Sequence, residues 1–153
     1  MNLRFAAERT LGKLAKWLRL LGFDTVFESE SDPGQFLDHL LPETILLTRT
    51  EQVRDTLSAS QRLIFIESND TEKQLRQVID ELGLEMKDIR PFSRCLICNV
   101  ANEKIEKDRI YGQVPDYVWE INTVFQSCPE CKKIYWPGSH IERSLERINK
   151  IFS

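Results

Sequence analysis

Apolar positions in the first half of the chain follow two rhythms in turn. Short, largely apolar runs fall at residues 3–7, 25–27, 45–47 and 63–66. Runs of that length without alternation read as strands buried on both faces. Between them the spacing becomes helical. Residues 9–21 carry Leu11, Leu14, Ala15, Leu18 and Leu21 on one face, and Gly22 stands where such a helix should stop. Asp32-Pro33-Gly34-Gln35 predicts another helix start, with an N-cap acid, proline at the first helical position and glutamine three residues after the cap. A third helix should follow Thr50. A fourth spans residues 69–82, with an Asn69/Glu72 capping box, a stripe of Leu75, Val78, Ile79 and Leu82, and Gly83 as its stop. Strand and helix alternating with short connections predict an α/β fold, because parallel strands need crossover helices and those helices cover both faces of the sheet.

Near Ile89-Arg90-Pro91 the texture changes, which places a boundary between an α/β unit at 1–88 and a second unit at 89–153. The second has short strand candidates, two cysteine pairs and a terminal helix. That helix should open on a capping box, Ser139-His140-Ile141-Glu142, and present Ile141, Leu145, Ile148 and Phe152 on one face.

Composition narrows the class. With 153 residues, 41% hydrophobic and 29% charged, the chain belongs with globular proteins rather than disordered ones. A formal net charge of −3 excludes wholesale attraction to nucleic acid, so such a partner would be held by local basic patches. The first residues lack the apolar core of a signal peptide and no run approaches membrane length, so a cytoplasmic location is expected.

Four cysteines stand as Cys95-Leu96-Ile97-Cys98 and Cys128-Pro129-Glu130-Cys131. Redox pairs are the alternative, but a thioredoxin-like pair occurs singly beside a βαβ unit. Two C-x2-C turns offer four thiolates to one zinc ion. Such a zinc is structural, since four protein ligands leave no position for water. The long spacer suits a ribbon with Ile105, Ile110, Tyr111 and Val114 as a small core.

In a doubly wound sheet, chemistry gathers just past the carboxyl ends of the strands. Glu8 follows the first run; Glu28, Glu30 and Asp32 follow the second; Thr48, Thr50 and Glu51 the third; Glu67 and Asp70 the fourth. Two or three converging acids could hold magnesium or manganese, which activates water and neutralises a phosphodiester. Glu8 with Asp32 or Glu51 is the candidate set. The competing explanation is that acids in a first helical turn complement the helix dipole. Asp24 precedes its strand, at the other edge of the sheet, which points to a turn or hydrogen-bonding role.

Arg9, Lys13 and Lys16 share a helix face that would run away from Glu8 like a track for phosphates. Lys132, Lys133, Arg143, Arg147 and Lys150 form a second basic set, and Tyr135 and Trp136 could stack on unpaired bases. A solvated charged face and a small aromatic core are the ordinary fates of such residues. Together the two sets suggest RNA.

Four motifs, in order, carry a resemblance: Leu11-Gly12-Lys13-Leu14-Ala15-Lys16-Trp17-Leu18-Arg19-Leu20-Leu21-Gly22-Phe23-Asp24-Thr25, then Ile45-Leu46-Leu47-Thr48-Arg49, Arg94-Cys95-Leu96-Ile97-Cys98-Asn99 and Tyr135-Trp136-Pro137-Gly138-Ser139-His140. The sequence resembles the mut-seven C-terminal RNase domain family. The resemblance implies a PIN-like three-layer α/β/α domain followed by a zinc ribbon, and a metal-dependent ribonuclease with Glu8, Asp32 and Glu51 at its acidic rim. Arg49 would then join Arg9, Lys13 and Lys16 in positioning phosphates. Two departures accompany it: Glu8 and Thr50 stand where the family usually has aspartates. An RNA-binding module that kept the scaffold without the chemistry is the second expectation, and a ribbon that docks a protein partner is the third.

Overall fold

The computed structural model describes residues 2–32 and 34–153. Pro33, expected at the first position of a helix, lies outside them, as does Met1.

Four strands, β1 (Arg4–Ala7), β2 (Asp24–Phe27), β3 (Ile45–Thr48) and β4 (Leu63–Phe65), form a wholly parallel sheet in the order β2-β1-β3-β4. Helices α1 (Gly12–Leu20), α2 (Glu51–Leu57) and α3 (Thr71–Leu82) follow β1, β3 and β4. The alternation of side chains along each strand sorts them to two faces. Phe5, Ala7, Ile45 and Leu47 join the large core with α1 and α3, whereas Ala6 and Leu46 meet Phe36, Leu40, Val53 and Leu57 on the other side. The sheet is thus the middle of three layers. Gly22 has φ +97, and a Cβ there would lie 2.7 Å from the carbonyl oxygen of Arg90, so glycine alone fits this exit from α1.

The helix expected from Asp32 is not formed. Residues 34–39 make hydrogen-bonded turns, Gln35 N–H to the Asp32 carbonyl at 3.1 Å and His39 N–H to the Gln35 carbonyl at 3.2 Å. Gly34, at φ +78, breaks the right-handed path. Two caps are also shifted by one residue. Asp70, not Asn69, caps α3, accepting from Lys73 N–H at 3.1 Å. Helix α5 (Ser139–Phe152) begins with Gly138 at its cap, so Ser139 is already helical and no side chain closes the end.

The tail holds an antiparallel sheet, β5 (Glu103–Ile105), β6 (Phe125–Ser127) and β7 (Ile134–Tyr135), in that order. The spacer between β5 and β6 contains α4 (Asp116–Ile121), which periodicity did not announce. Its core is Ile110, Val114, Val118 and Phe125. Tyr111, expected among them, is exposed. The 3-10 turn Lys107–Ile110 aims Ile110 inward and the next residue out, where its ring meets Trp119 edge-on at 4.9 Å.

Helix α5 then packs back against α1 and α3. Ile148 and Ile151 are buried in the core shared by α1 and α3, and Arg147 pairs with Glu72 at 2.7 Å. Beside it, a polar clasp joins the first cysteine turn to the sheet. The buried Arg19 donates to the carbonyls of Thr25 at 3.0 Å and Leu96 at 2.8 Å, and pairs with Glu30 at 2.6 Å. Asn99 accepts from Thr25 N–H at 2.9 Å and donates to Asp24 at 2.8 Å. The hydrogen-bonding role expected of Asp24 is this one.

Candidate active-site rim and metal centre

The connection from β2 to β3 passes to the other side of β1, so the winding of the sheet reverses between β1 and β3. That reversal leaves a crevice at the carboxyl ends of the two strands. Glu8 sits in it. Its N–H continues the sheet to the Leu47 carbonyl at 3.2 Å. Its carboxylate accepts from the Thr48 hydroxyl at 2.7 Å, Arg49 N–H at 3.0 Å and the Thr50 hydroxyl at 3.1 Å. A carboxylate has about four acceptor positions. Three are filled here, two on Oε1 and one on Oε2, so Oε2 keeps one position for a cation or a water.

The other rim residues are dispersed. Asp32 is exposed and lines a separate hollow of about 230 Å³ with Phe36, His39 and Leu40. The 3-10 turn Glu28–Glu30 intervenes between β2 and Asp32 and carries it away from the strand end. Glu51 is the exposed first residue of α2. The acid that comes nearest to Glu8 in the hydrogen-bond pattern is Glu28, whose Oε1 accepts from Arg9 N–H at 2.9 Å. Its signal in the sequence was its place directly after β2. Among the described residues no trio of acids converges as metal ligands must; the cysteines alone do so.

Lys13 and Lys16, exposed on α1, border a hollow of about 550 Å³ together with Trp17, Thr71, Glu72 and Arg147. One member of the second basic set therefore reaches the first, because α5 brings Arg147 to α1, its guanidinium 5.5 Å from the Trp17 ring centre. Arg9 and Arg49 are exposed at the rim itself. Tyr135 and Trp136 are half-buried instead of displayed. The Tyr135 hydroxyl accepts from Leu96 N–H at 3.1 Å and donates to Cys95 Sγ at 3.2 Å, while Trp136 packs on the ribbon core.

The ligand atoms of Cys95, Cys98, Cys128 and Cys131 all lie within 4.8 Å of one another, with Cys95 and Cys131 3.7 Å apart. A tetrahedron of sulfurs at zinc's bond length has edges of about 3.8 Å. The two turns share one geometry. In each, the second cysteine donates its N–H to the first one's Sγ at 3.4 Å, and the residue after it, Asn99 or Lys132, has a left-handed backbone. Burial opposes a thiolate at Cys95. The Tyr135 hydroxyl and the N–H groups of Cys98 and Ile97 outweigh it and bring that thiol down to about 6. Burial, hydrogen bonds to Cys131 and Cys128 and the charge at Cys95 push Cys98 up to about 12. The cluster fits a structural zinc site.

A parallel α/β sheet with a carboxylate at its switch point, carrying a four-cysteine ribbon, defines the class. The model of the Mut7-C RNAse domain matches residues 3–148, nearly the whole chain. The protein belongs to that family. Searches of curated proteins and of solved structures returned no match. Among the described residues no helix is long and apolar enough to cross a membrane.

Proposed function

We propose that the chain is a divalent-metal-dependent ribonuclease of reduced power, hydrolysing RNA phosphodiesters at the β1/β3 crevice. The observation that carries this reading is the position of Glu8, a carboxylate fixed at the switch point with one acceptor position left open. Magnesium or manganese needs only one or two carboxylates when waters and substrate phosphate complete its shell. Once bound, such an ion supplies an activated water and neutralises developing charge on the phosphodiester. The rest of the task falls to this chain's own residues. Thr48 and the Arg49 amide hold the Glu8 carboxylate in one orientation, Glu28, bonded to the N–H of the next residue, Arg9, offers a second carboxylate, and Asp32 and Glu51 lend negative potential from further out. Arg49 and Arg9 orient the phosphate being cut. Lys13, Lys16 and Arg147 hold the strand beyond it.

Cleavage of a fluorescent single-stranded RNA, assayed with manganese, with magnesium and with chelator, tests the proposal. Activity should require the metal and fall at least a hundredfold in Glu8→Gln; undiminished cleavage by that variant would remove Glu8 from the chemistry. A second reading, RNA binding without turnover, is favoured by the dispersal of Asp32 and Glu51. It predicts binding that weakens steeply with salt while the RNA stays intact at every metal concentration.

A further inference from the structure

At the opposite edge of the sheet from Glu8, a hollow of about 490 Å³ lies on the seam between the α/β unit and the first cysteine turn. Its size is that of small-ligand sites. Arg4 and Asp24 line it from the sheet, Asp88 and Arg90 from the connection, and Arg94 from the residue before Cys95. Three arginines thus share its lining with two aspartates in a protein whose overall charge is negative.

Asp24 has both oxygens engaged and Asp88 one. Asp24 takes Arg4 at 3.3 Å on one oxygen and Asn99 at 2.8 Å on the other, and Asp88 takes Glu85 N–H at 2.9 Å on Oδ2. Arg90 and Arg94 are less fully engaged. Arg94 is anchored through Nε to the Gly22 carbonyl at 3.4 Å and through Nη1 to the Asn99 carbonyl at 2.7 Å, which leaves Nη2 to donate elsewhere. Arg90 has no ion-pair partner among the described residues. Its backbone is nonetheless fixed, since Arg90 N–H donates to the Leu21 carbonyl at 2.8 Å. Arg90 and Arg94 thus stand on anchored segments of one hollow with donors to spare, and guanidinium groups are the side chains best suited to a tetrahedral oxyanion. Asp88 Oδ1, without a hydrogen-bond partner among the described residues, can accept from a ligand hydroxyl.

We infer that this seam hollow binds a small phosphate monoester carrying free hydroxyls, a nucleoside or sugar phosphate, with Arg90 and Arg94 on the phosphate and Asp88 on a hydroxyl. The inference does not rest on the nuclease reading, because β1 separates the two places: Arg4 lines the hollow at its start and Glu8 follows its end. A ligand here would bridge the sheet and the first cysteine turn.

Calorimetric titration of the zinc-loaded full chain with adenosine 5′-monophosphate, ribose 5-phosphate, adenosine and inorganic phosphate tests it. The expected result is saturable one-site binding of at least one ester, none of adenosine, and inorganic phosphate at least tenfold weaker. Equal affinity for the two esters assigns the site to sugar phosphates; tighter nucleotide binding assigns it to nucleotides. Arg90 is exposed and its side chain joins nothing, so Arg90→Glu should leave the far-ultraviolet circular dichroism intact and weaken binding at least tenfold, with Arg90→Lys intermediate. No saturable binding of either ester at millimolar concentration overturns the inference. So does inorganic phosphate binding as tightly as the esters, or binding that survives Arg90→Glu and is lost in Glu8→Gln, which would move the ligand to the rim.

Discussion

At position 50 a hydroxyl donates to Glu8 where a second carboxylate would repel it. The Thr50→Asp variant therefore puts two like charges within hydrogen-bonding distance of each other. At this exposed rim their repulsion costs about 1 kcal/mol without metal, which lowers the melting temperature by about 2–4 °C in a chain this long. A divalent cation reverses the sign of that interaction. Manganese should raise the melting temperature of Thr50→Asp distinctly more than that of the wild type, and an equal rise in both would show that the rim gathers no ion. Tyr135 presents the same kind of test at the cysteine cluster. Its hydroxyl, itself pushed above the ordinary tyrosine range by burial and by the Cys95 sulfur, stabilises the Cys95 thiolate. In the metal-free chain Cys95 has a lowered folded-state value, so its contribution to stability is complete above the unfolded value near 9.0 and disappears as pH falls through about 6. Removing the hydroxyl moves that loss to higher pH. Tyr135→Phe should also release zinc to a competing chelator more readily, by about 10- to 100-fold in affinity; unchanged retention would leave the hydroxyl no part in tuning the metal site.

Elements differ in how much of their role one sequence reveals. The apolar stripe of α1 and the stop at Gly22 were legible because both are local. So were the four strands and the two cysteine turns. Glu8 was legible as a rim residue, since it directly follows β1. Its three donors were not, because β1 meets β3 only through the register Ala7 to Leu47, a long-range fact. Asp32 misled for a related reason. Its cap-and-proline signature is local, and the left-handed Gly34 and the turn at Glu28–Glu30 override it. The stripe on α5 told that one face would be covered without telling by what, and the answer is the α1/α3 face of the sheet. Hence Ile148, fully buried there, is part of the main core although it lies beyond the ribbon in sequence. Ile148→Ala should cost about 2–5 kcal/mol, read from urea unfolding of the zinc-loaded chain. A loss under 1 kcal/mol would mean that α5 is only loosely docked.

On the scale of the whole molecule, charge and cross-linking are arranged against the averages. The net charge is −3, yet α5 carries Arg147 to the hollow that Lys13 and Lys16 line, where Asp70 and Glu72 are the two acids beside three bases. Removing both lysines should flatten the dependence of log RNA affinity on log salt by about 1.4, two single-strand phosphate contacts' worth; an unchanged slope would place the RNA elsewhere. The metal site reaches further still. Strand β2 is an edge strand, and an edge exposes a row of backbone groups that must find partners. Thr25 N–H finds its partner in Asn99, the left-handed residue of the first cysteine turn, and that turn is shaped by the sulfurs it must present to zinc. Binding of zinc at these sulfurs would therefore couple to order in a strand of the parallel sheet. Chelation should speed amide hydrogen exchange at Thr25 by at least tenfold, about 1.4 kcal/mol of lost protection. Leu46 N–H, bonded within the sheet to the Arg62 carbonyl at 2.9 Å, should be slowed or sped far less. If Thr25 and Leu46 respond alike, the clasp transmits nothing and zinc acts on the fold as a whole; if only Thr25 responds, the ribbon is what finishes the edge of the sheet.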